Sequence, residues 1–94
     1  MFWSKMVKEV YLGHNQISHQ YYINDRGQHT TDKNVSYAGP DNDLQAVVKH
    51  MATEYKDRKT ILKTDLSEER FSELQRLVEK NKCLKKMELK QNEW

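Results

Sequence analysis

The amino-acid sequence predicts a single α+β domain, and three observations lead to that prediction. Apolar and polar residues alternate through roughly the first forty positions, which is typical of strands. Two later segments repeat their apolar residues at helical spacing, and a short β-branched run lies between them. A chain of 94 residues suits one domain, here residues 1–94. We therefore expect an N-terminal antiparallel β-meander, then a helix, a short strand, a helix and a last strand, in the order βββαβα(β).

The meander is predicted from alternation and from turn-forming residues. Residues 6–12 are the expected first strand, and the Gly-His-Asn sequence of residues 13–15 is the expected turn after it. Residues 17–24 alternate and form the second strand, and residues 24–27 form the next turn. The third strand is expected over residues 28–37.

Each helix is predicted from capping residues followed by an apolar stripe. Residues 38–40 end the sheet segment, and the side-chain oxygens of residues 41–43 can cap the first helix. The stripe of this helix is formed by Leu44, Val47, Val48, Met51 and Tyr55. Ser67 is the expected N-cap of the second helix. The buried face of that helix is formed by Phe71, Leu74, Leu77 and Val78.

Two shorter segments are assigned to strands. Residues 59–64 are β-branched in part and too short for a helix between the two longer ones. The second helix is expected to end at residues 80–82. Beyond it, Cys83, Met87 and Leu89 share a period-two face, which favours a strand, although the same segment also fits a continuing helix.

Cysteine content and hydropathy indicate the compartment. Cys83 cannot form an internal disulfide, and the N-terminal residues lack the apolar core of a signal peptide. No stretch approaches the roughly 20 apolar residues that cross a bilayer. We expect a soluble, cytoplasmic protein with no membrane partner. Its few large aliphatic residues predict a thin core, which a homodimer interface or another partner could stabilise.

Positive charge is concentrated in the second half of the chain. The first basic cluster is Lys56, Arg58, Lys59 and Lys63, and the second is Lys80, Lys82, Lys85, Lys86 and Lys90. Such clusters can bind phosphate, so all of these residues except Lys90 are candidates for nucleic-acid binding. Acidic residues interleave with them, which favours the simpler interpretation, a solvated surface.

The order of the elements carries a family resemblance. Three antiparallel strands, a helix, a strand that ends in Thr-Asp and a second helix resemble the opening of the ribonuclease H-like fold. Residues 60–65 are similar to the fourth strand of that family, whose terminal Asp, here Asp65, helps to bind a catalytic metal. The family's first-strand Asp and first-helix Glu would fall near Leu12 and Gln45, so only Asp65 matches.

The absence of the other two family carboxylates implies a truncated, non-catalytic copy of the fold, because two-metal hydrolysis needs several carboxylates around both cations. Metal-dependent hydrolysis that requires Asp65 is a third functional hypothesis. A ferredoxin-like α+β sandwich is the alternative fold.

Residues with metal-binding or nucleophilic side chains have simpler interpretations. His14, His19 and His29 could offer imidazoles to zinc. His14 and His19 lie five positions apart, which puts them on opposite faces of a strand, so they converge only if the turn bends. Structural or surface histidines are favoured, with His19 on the apolar face of the second strand. Cys83 lacks a nearby partner that would mark a base, and the Ser67 hydroxyl is explained as a cap. We predict no catalytic residue, metal or cofactor.

Aromatic residues are numerous for so small a core. Tyr21 and Tyr22 cannot both face the core from one strand, and exposed Trp and Tyr rings dominate binding hot spots. Trp3, Tyr22 and Trp94 are the candidate partner-binding residues. The alternative is that the terminal tryptophans fold back over the sheet.

These features fit a small non-enzymatic binding protein that acts through protein–protein contacts on the outer face of its sheet or on an uncovered strand. An accessory or inhibitor protein of a mobile element, such as a phage, is the expected setting. The alternative is a nucleic-acid-binding module that uses the basic clusters and exposed tyrosines, whose affinity would fall steeply as salt rises.

Overall fold

The computed structural model describes residues 7–27 and 35–91. Its elements are β1 (Lys8–Asn15), β2 (Gln20–Asn24), β3 (Val35–Pro40), α1 (Leu44–Glu54), β4 (Thr60–Thr64), α2 (Glu68–Glu79), a short 3-10 helix (Lys82–Leu84) and β5 (Met87–Gln91). The predicted α+β class and element order are confirmed. The ferredoxin-like alternative is wrong, because that fold begins with a strand, a helix and a strand.

The strands form one mixed sheet in the order β3-β2-β1-β4-β5. β2 is antiparallel to both β1 and β3, whereas β1, β4 and β5 are parallel to one another. Among the described strands, β2 therefore runs against the other four. The C-termini of β1, β3, β4 and β5 lie together at what we call the carboxyl end of the sheet, and their N-termini lie together at its amino end.

Both helices pack on one face of the sheet. Alternate strand residues supply one side of the core, and the predicted apolar stripes of α1 and α2 supply the other. The most buried apolar members are Val10, Leu12, Tyr21, Ile23, Val47, Met51, Leu62 and Leu74. The described helices do not pack on the opposite face of the sheet, although Tyr11 and Tyr22 on that face are buried.

The turn between β1 and β2 lies later than predicted. β1 continues through residues 13–15, so the predicted turn there is wrong, and the actual turn occupies residues 16–19. The side chain of Asn15 starts this turn, because it accepts hydrogen bonds from the N–H groups of Ile17 and Ser18 at 2.9 and 3.0 Å.

The same shift removes His19 from the predicted apolar face. His19 ends the turn in a left-handed backbone conformation with φ of 56°, and its side chain is 78% exposed. Tyr21 and Ile23 follow in β2 and do lie in the core, as predicted. Alternation alone does not show where a strand begins, since turn residues can continue the pattern.

β3 runs past its predicted end. It spans Val35–Pro40, so the predicted strand end at Tyr37 is three residues early, whereas the sheet segment does end within the predicted residues 38–40. The first part of the predicted third strand, residues 28–34, lies outside the described residues. β3 is an edge strand of the described sheet, where a proline without an N–H group is tolerated.

Both predicted helix N-caps are found. The side chain of Asp43 accepts a hydrogen bond from the N–H of Ala46 at 3.0 Å, and that of Ser67 accepts one from the N–H of Arg70 at 3.4 Å. α2 ends as predicted, with Lys80 as its C-cap.

The segment after α2 is only partly a strand. Cys83 lies in the short 3-10 helix, so the predicted start of the strand there is wrong. The Asn81 side chain accepts a hydrogen bond from the N–H of Cys83 at 2.9 Å and stabilises this turn. Met87 and Leu89 lie in β5 and pack against the core, as the period-two pattern predicts.

Candidate functional site

A polar pocket of about 430 Å³ lies at the carboxyl end of the sheet. It is lined by His14, Gln16, His19, Asp41, Asp65, Ser67 and Arg70. These residues come from β1 and the turn after it, from the segments that follow β3 and β4, and from α2 with its N-cap. They meet because β1, β3 and β4 end at the same side of the sheet.

Asp41 is the centre of the polar pocket. Its Oδ2 accepts a hydrogen bond from Nε2 of His14 at 3.0 Å and lies 3.5 Å from Nδ1 of His19. The hydrogen bond from His14, with the charges of His14, His19 and Arg70, holds the pKa of the Asp41 carboxyl below its usual value. His14 and His19 thus converge on one carboxylate, which strand alternation did not predict.

Arg70 closes the pocket from α2. Its Nη1 donates to the hydroxyl of Tyr21 and, at 2.8 Å, to the backbone carbonyl of Asp41. The guanidinium carbon also lies 5.7 Å from the centroid of the Tyr21 ring. These contacts tie α2 to β2 and to the segment after β3, so the polar pocket is a structural junction.

The three positions that the ribonuclease H-like resemblance singles out lie in different environments. Asp65 lines the polar pocket, Leu12 is fully buried in the core, and Gln45 is exposed on α1. Within residues 7–27 and 35–91, no group of three or more His, Cys, Asp or Glu side chains is arranged to hold a metal ion. His29, the third histidine of the zinc hypothesis, lies outside these ranges.

Tyr22 is not the exposed ring that the sequence predicts. It is 9% exposed, and its ring centroid lies 6.2 Å from that of Tyr11. Burial raises the pKa of both tyrosines, and the negative charge of the Asp65 carboxylate raises it further. Trp3 and Trp94, the other two aromatic candidates, lie outside the described residues.

A second cavity, which we call the cationic groove, lies between α1 and the C-terminal part of α2. Its volume is about 590 Å³. Its lining residues are the apolar Val48, Ala52 and Leu77, the basic Lys49, Lys56 and Lys80, and the uncharged Gln45, Thr53, Asn81 and Cys83. None of the described residues that line it is acidic.

The cationic groove follows from the pattern of α1. The apolar stripe of α1 faces the sheet, and the neighbouring stripe of Lys49, Ala52 and Lys56, spaced three and four residues apart, borders the groove. Because the side chain of Ala52 is only a methyl group, it does not fill the space above the floor of the groove. At one end of the groove, Asp57 adopts a left-handed backbone conformation with φ of 56° and donates its N–H to the carbonyl of Cys83 at 2.9 Å.

The two basic clusters meet at the amino end of the sheet. The bond from Asp57 to Cys83, and one from the N–H of Thr60 to the carbonyl of Lys86 at 3.2 Å, place the loop after α1 beside residues 82–86. The exposed basic residues that meet there, which we call the basic end, are Lys56, Arg58, Lys59, Lys80, Lys82, Lys85 and Lys86. Lys56 and Lys80 belong to both the basic end and the cationic groove.

Lys63 does not belong to the basic end. It lies in β4 on the face of the sheet away from the helices, where its Nζ pairs with Oε1 of Glu9 at 3.1 Å. Lys90 is its register partner in β5. The first basic cluster is therefore divided between two faces of the molecule.

Sequence reasoning did not single out Lys49 or the cationic groove. A signal was present, because Lys49, Ala52 and Lys56 lie at helical spacing beside the predicted apolar stripe. The contribution of Leu77 and Cys83 depends on how α2 and the 3-10 helix pack against α1, which spacing alone does not show.

Comparison of the chain with known protein families, with curated proteins and with solved structures finds no match. Within residues 7–27 and 35–91, no helix is long and apolar enough to span a membrane.

Proposed function

We propose that this chain is a small non-enzymatic binding protein that contacts an acidic protein partner through the cationic groove. The observation that carries the proposal is the composition of the groove, which combines an apolar floor with three lysines and has no acidic residue among its described lining. Burial of the apolar floor supplies affinity, and the positive charge selects an acidic partner and speeds its approach.

The apolar floor favours a protein over a nucleic acid. A phosphate backbone can pair with the lysines but gains little from covering Val48, Ala52 and Leu77. Single-stranded nucleic acid is usually held by stacking on exposed aromatic rings, and the described tyrosines are all buried or half-buried. An acidic protein segment can use both the floor and the lysines.

Three further expectations belong to this proposal. The observed element order supports a relative of the ribonuclease H-like fold. Leu12 and Gln45 themselves carry no carboxylate, which supports a truncated, non-catalytic copy. We also propose a cytoplasmic location and an accessory or inhibitor role in a mobile element. The partner is another protein. A second copy of this chain, as a homodimer, is the alternative partner and, with its net charge of +2, is not an acidic one.

Carbodiimide cross-linking tests the proposal, because it joins lysine amines to the carboxylates of a bound protein. With extract of the cells that produce the chain, we expect cross-links from Lys49, Lys56 or Lys80 to Asp or Glu of a partner. The triple variant Lys49→Glu, Lys56→Glu, Lys80→Glu should lose that partner, whereas Lys90→Glu, on the other face of the sheet, should retain it. Retention of the same partner by the triple variant would exclude the groove.

Nucleic-acid binding is the second candidate, and the basic end is the observation that favours it. The bonds of Asp57 and Thr60 gather seven basic residues at one side of the protein. If they contact phosphate, affinity for duplex or single-stranded oligonucleotides should fall steeply with salt. The variant Lys82→Ala, Lys85→Ala, Lys86→Ala should then reduce the salt slope, and Lys63→Ala should not. Binding that is absent, or equal in both variants, would rule this candidate out.

A further inference from the structure

The walls of the cationic groove restrict the conformation of what it can bind. We propose that its occupant is an amphipathic acidic helix of about three turns, presented by the partner protein. This inference rests on the proposed function and specifies the partner's recognition element.

Backbone hydrogen bonding favours a helix as the occupant of the groove. One wall of the groove is α1, whose backbone N–H and C=O groups bond within the helix. The other wall is Leu77 of α2 with Lys80, Asn81 and Cys83, which belong to the C-cap of α2 and to the 3-10 turn after it. These walls offer no strand edge with which an extended segment could pair. An extended segment would bury unpaired backbone groups against Val48, Ala52 and Leu77, whereas a helix satisfies its own backbone.

The length of the groove sets the length of the helix that it can hold. The part of the lining that belongs to α1 and its C-terminal end runs from Gln45 to Lys56. At 1.5 Å per residue this corresponds to roughly 16 Å, or about three helical turns. A partner helix of that length can place apolar side chains at positions i, i+3 or i+4 and i+7 along the floor.

Positive charge lies on both sides of the apolar floor. Lys49 and Lys56 come from the α1 side of the floor, and Lys80, the C-cap of α2, comes from the other side. Acidic residues on both flanks of a partner's apolar stripe would therefore each meet a lysine. Exposed pairs of this kind add little affinity individually, so they determine which helix binds and how fast it docks.

A second copy of this chain fits the groove less well. The exposed face of α2 is acidic, with Glu68, Glu69 and Glu73. Its apolar residues, however, face its own core: Leu74 and Val78 are buried there, and the half-buried Phe71 and Leu77 pack against it, so they are not free to serve as anchors. The groove therefore favours a different protein as its occupant.

Two synthetic peptides of the same composition test this proposal. Each has about 12 residues, with leucines at helical spacing and glutamates elsewhere, which is three turns or slightly more. One peptide is locked as a helix by a side-chain staple. The other carries the same staple residues in an uncoupled form and has leucines in alternating positions, which suit a strand. Fluorescence anisotropy measures the affinity of each for the full chain.

We expect the helical peptide to bind at least about tenfold more tightly than the alternating one. The triple variant Lys49→Glu, Lys56→Glu, Lys80→Glu should lose this binding, and Lys90→Glu should keep it, with circular dichroism confirming that each variant is folded. Equal or tighter binding of the alternating peptide would show that the groove does not select a helix. The proposal of an acidic protein partner would still stand. The proposal of an acidic protein partner is also excluded if neither peptide binds. It is likewise excluded if a short single-stranded DNA binds more tightly and responds to the same triple variant.

Discussion

Nε2 of His14 lies 3.0 Å from Oδ2 of Asp41 and so bonds the end of β1 to the segment between β3 and α1. The backbone carbonyl of Asp41 also accepts a hydrogen bond from Arg70 of α2 at 2.8 Å. One residue thus connects three parts of the fold that are distant in sequence.

Acid stability should depend on Asp41. Its pKa lies below the ordinary carboxyl value of 3.8 in the folded protein, so its charge stabilises the fold above that pH and ceases to do so as the pH falls through the lowered value. Asp41→Asn should therefore be less stable than the natural chain at neutral pH, and the difference should shrink below about pH 4. Urea unfolding across this range measures it.

The matched control for Asp41→Asn is Glu88→Gln, which removes one negative charge from an exposed position in β5. It should change the urea midpoint little at any pH. A difference between Asp41→Asn and the natural chain that stays constant down to about pH 2 would contradict the account.

A second junction, at the amino end of the sheet, should also contribute to stability. The Tyr55 hydroxyl donates to Oδ1 of Asp25 at 2.8 Å, and Lys8 donates to Oδ2 at 3.0 Å. Burial raises the pKa of the Asp25 carboxyl, but these two bonds together with the positive charges of Lys8 and Arg58 outweigh burial and lower it. Tyr55→Phe should cost about 1 kcal/mol, near the lower end for a bond to a charged group because Asp25 is partly exposed.

A double-mutant cycle isolates this bond. If Tyr55 and Asp25 interact as described, the combined variant Tyr55→Phe, Asp25→Asn should be more stable than the sum of the single effects predicts. Strict additivity in urea unfolding would show that the two side chains do not stabilise each other in solution.

Gly13 should resist substitution because of Tyr22. A Cβ at position 13 would lie 2.1 Å from Cζ of Tyr22, a contact that requires the ring to move. Since Tyr22 is packed against Tyr11, we expect Gly13→Ala to destabilise the protein by about 1–3 kcal/mol, although alanine suits a strand better than glycine does. Thermal or urea unfolding measures the change.

Tyr22→Ala provides the background in which to repeat the Gly13→Ala substitution. With the ring removed, most of the penalty should disappear. An equal penalty in both backgrounds would place the cause in the backbone of β1 instead of the Tyr22 ring.

The sequence predicts the helices and strands in the right order, but it does not predict where β1 ends and where β2 begins. Gly13 suggested a turn because glycine is common in turns, yet here it leaves room for a ring from the neighbouring strand. This role of Gly13 depends on its lying opposite Tyr22 in the pairing of β1 with β2. That pairing arises only in the folded chain and cannot be seen in the local sequence. The helices were easier to predict, because the caps Asp43 and Ser67 act through bonds to residues three positions away.

The candidate sites show the same contrast between features that local sequence predicts and features that depend on tertiary structure. The basic residues were visible in the sequence, but the separation of Lys63 from the basic end depends on which face of β4 it occupies. The convergence of His14 and His19 on Asp41 required the common direction of β1 and β3. The cationic groove required the packing of α2 beside α1, which no local pattern encodes.

Thiol modification of Cys83 tests most directly whether the cationic groove is the binding surface. Cys83 is the chain's sole cysteine and lines the groove, so the rate of its reaction with a neutral alkylating reagent reports access to that cavity. Saturation with the helical acidic peptide should slow the reaction at least about tenfold, and denaturant should restore it. An unchanged rate while anisotropy shows the peptide to be bound would place the binding surface elsewhere and contradict the account.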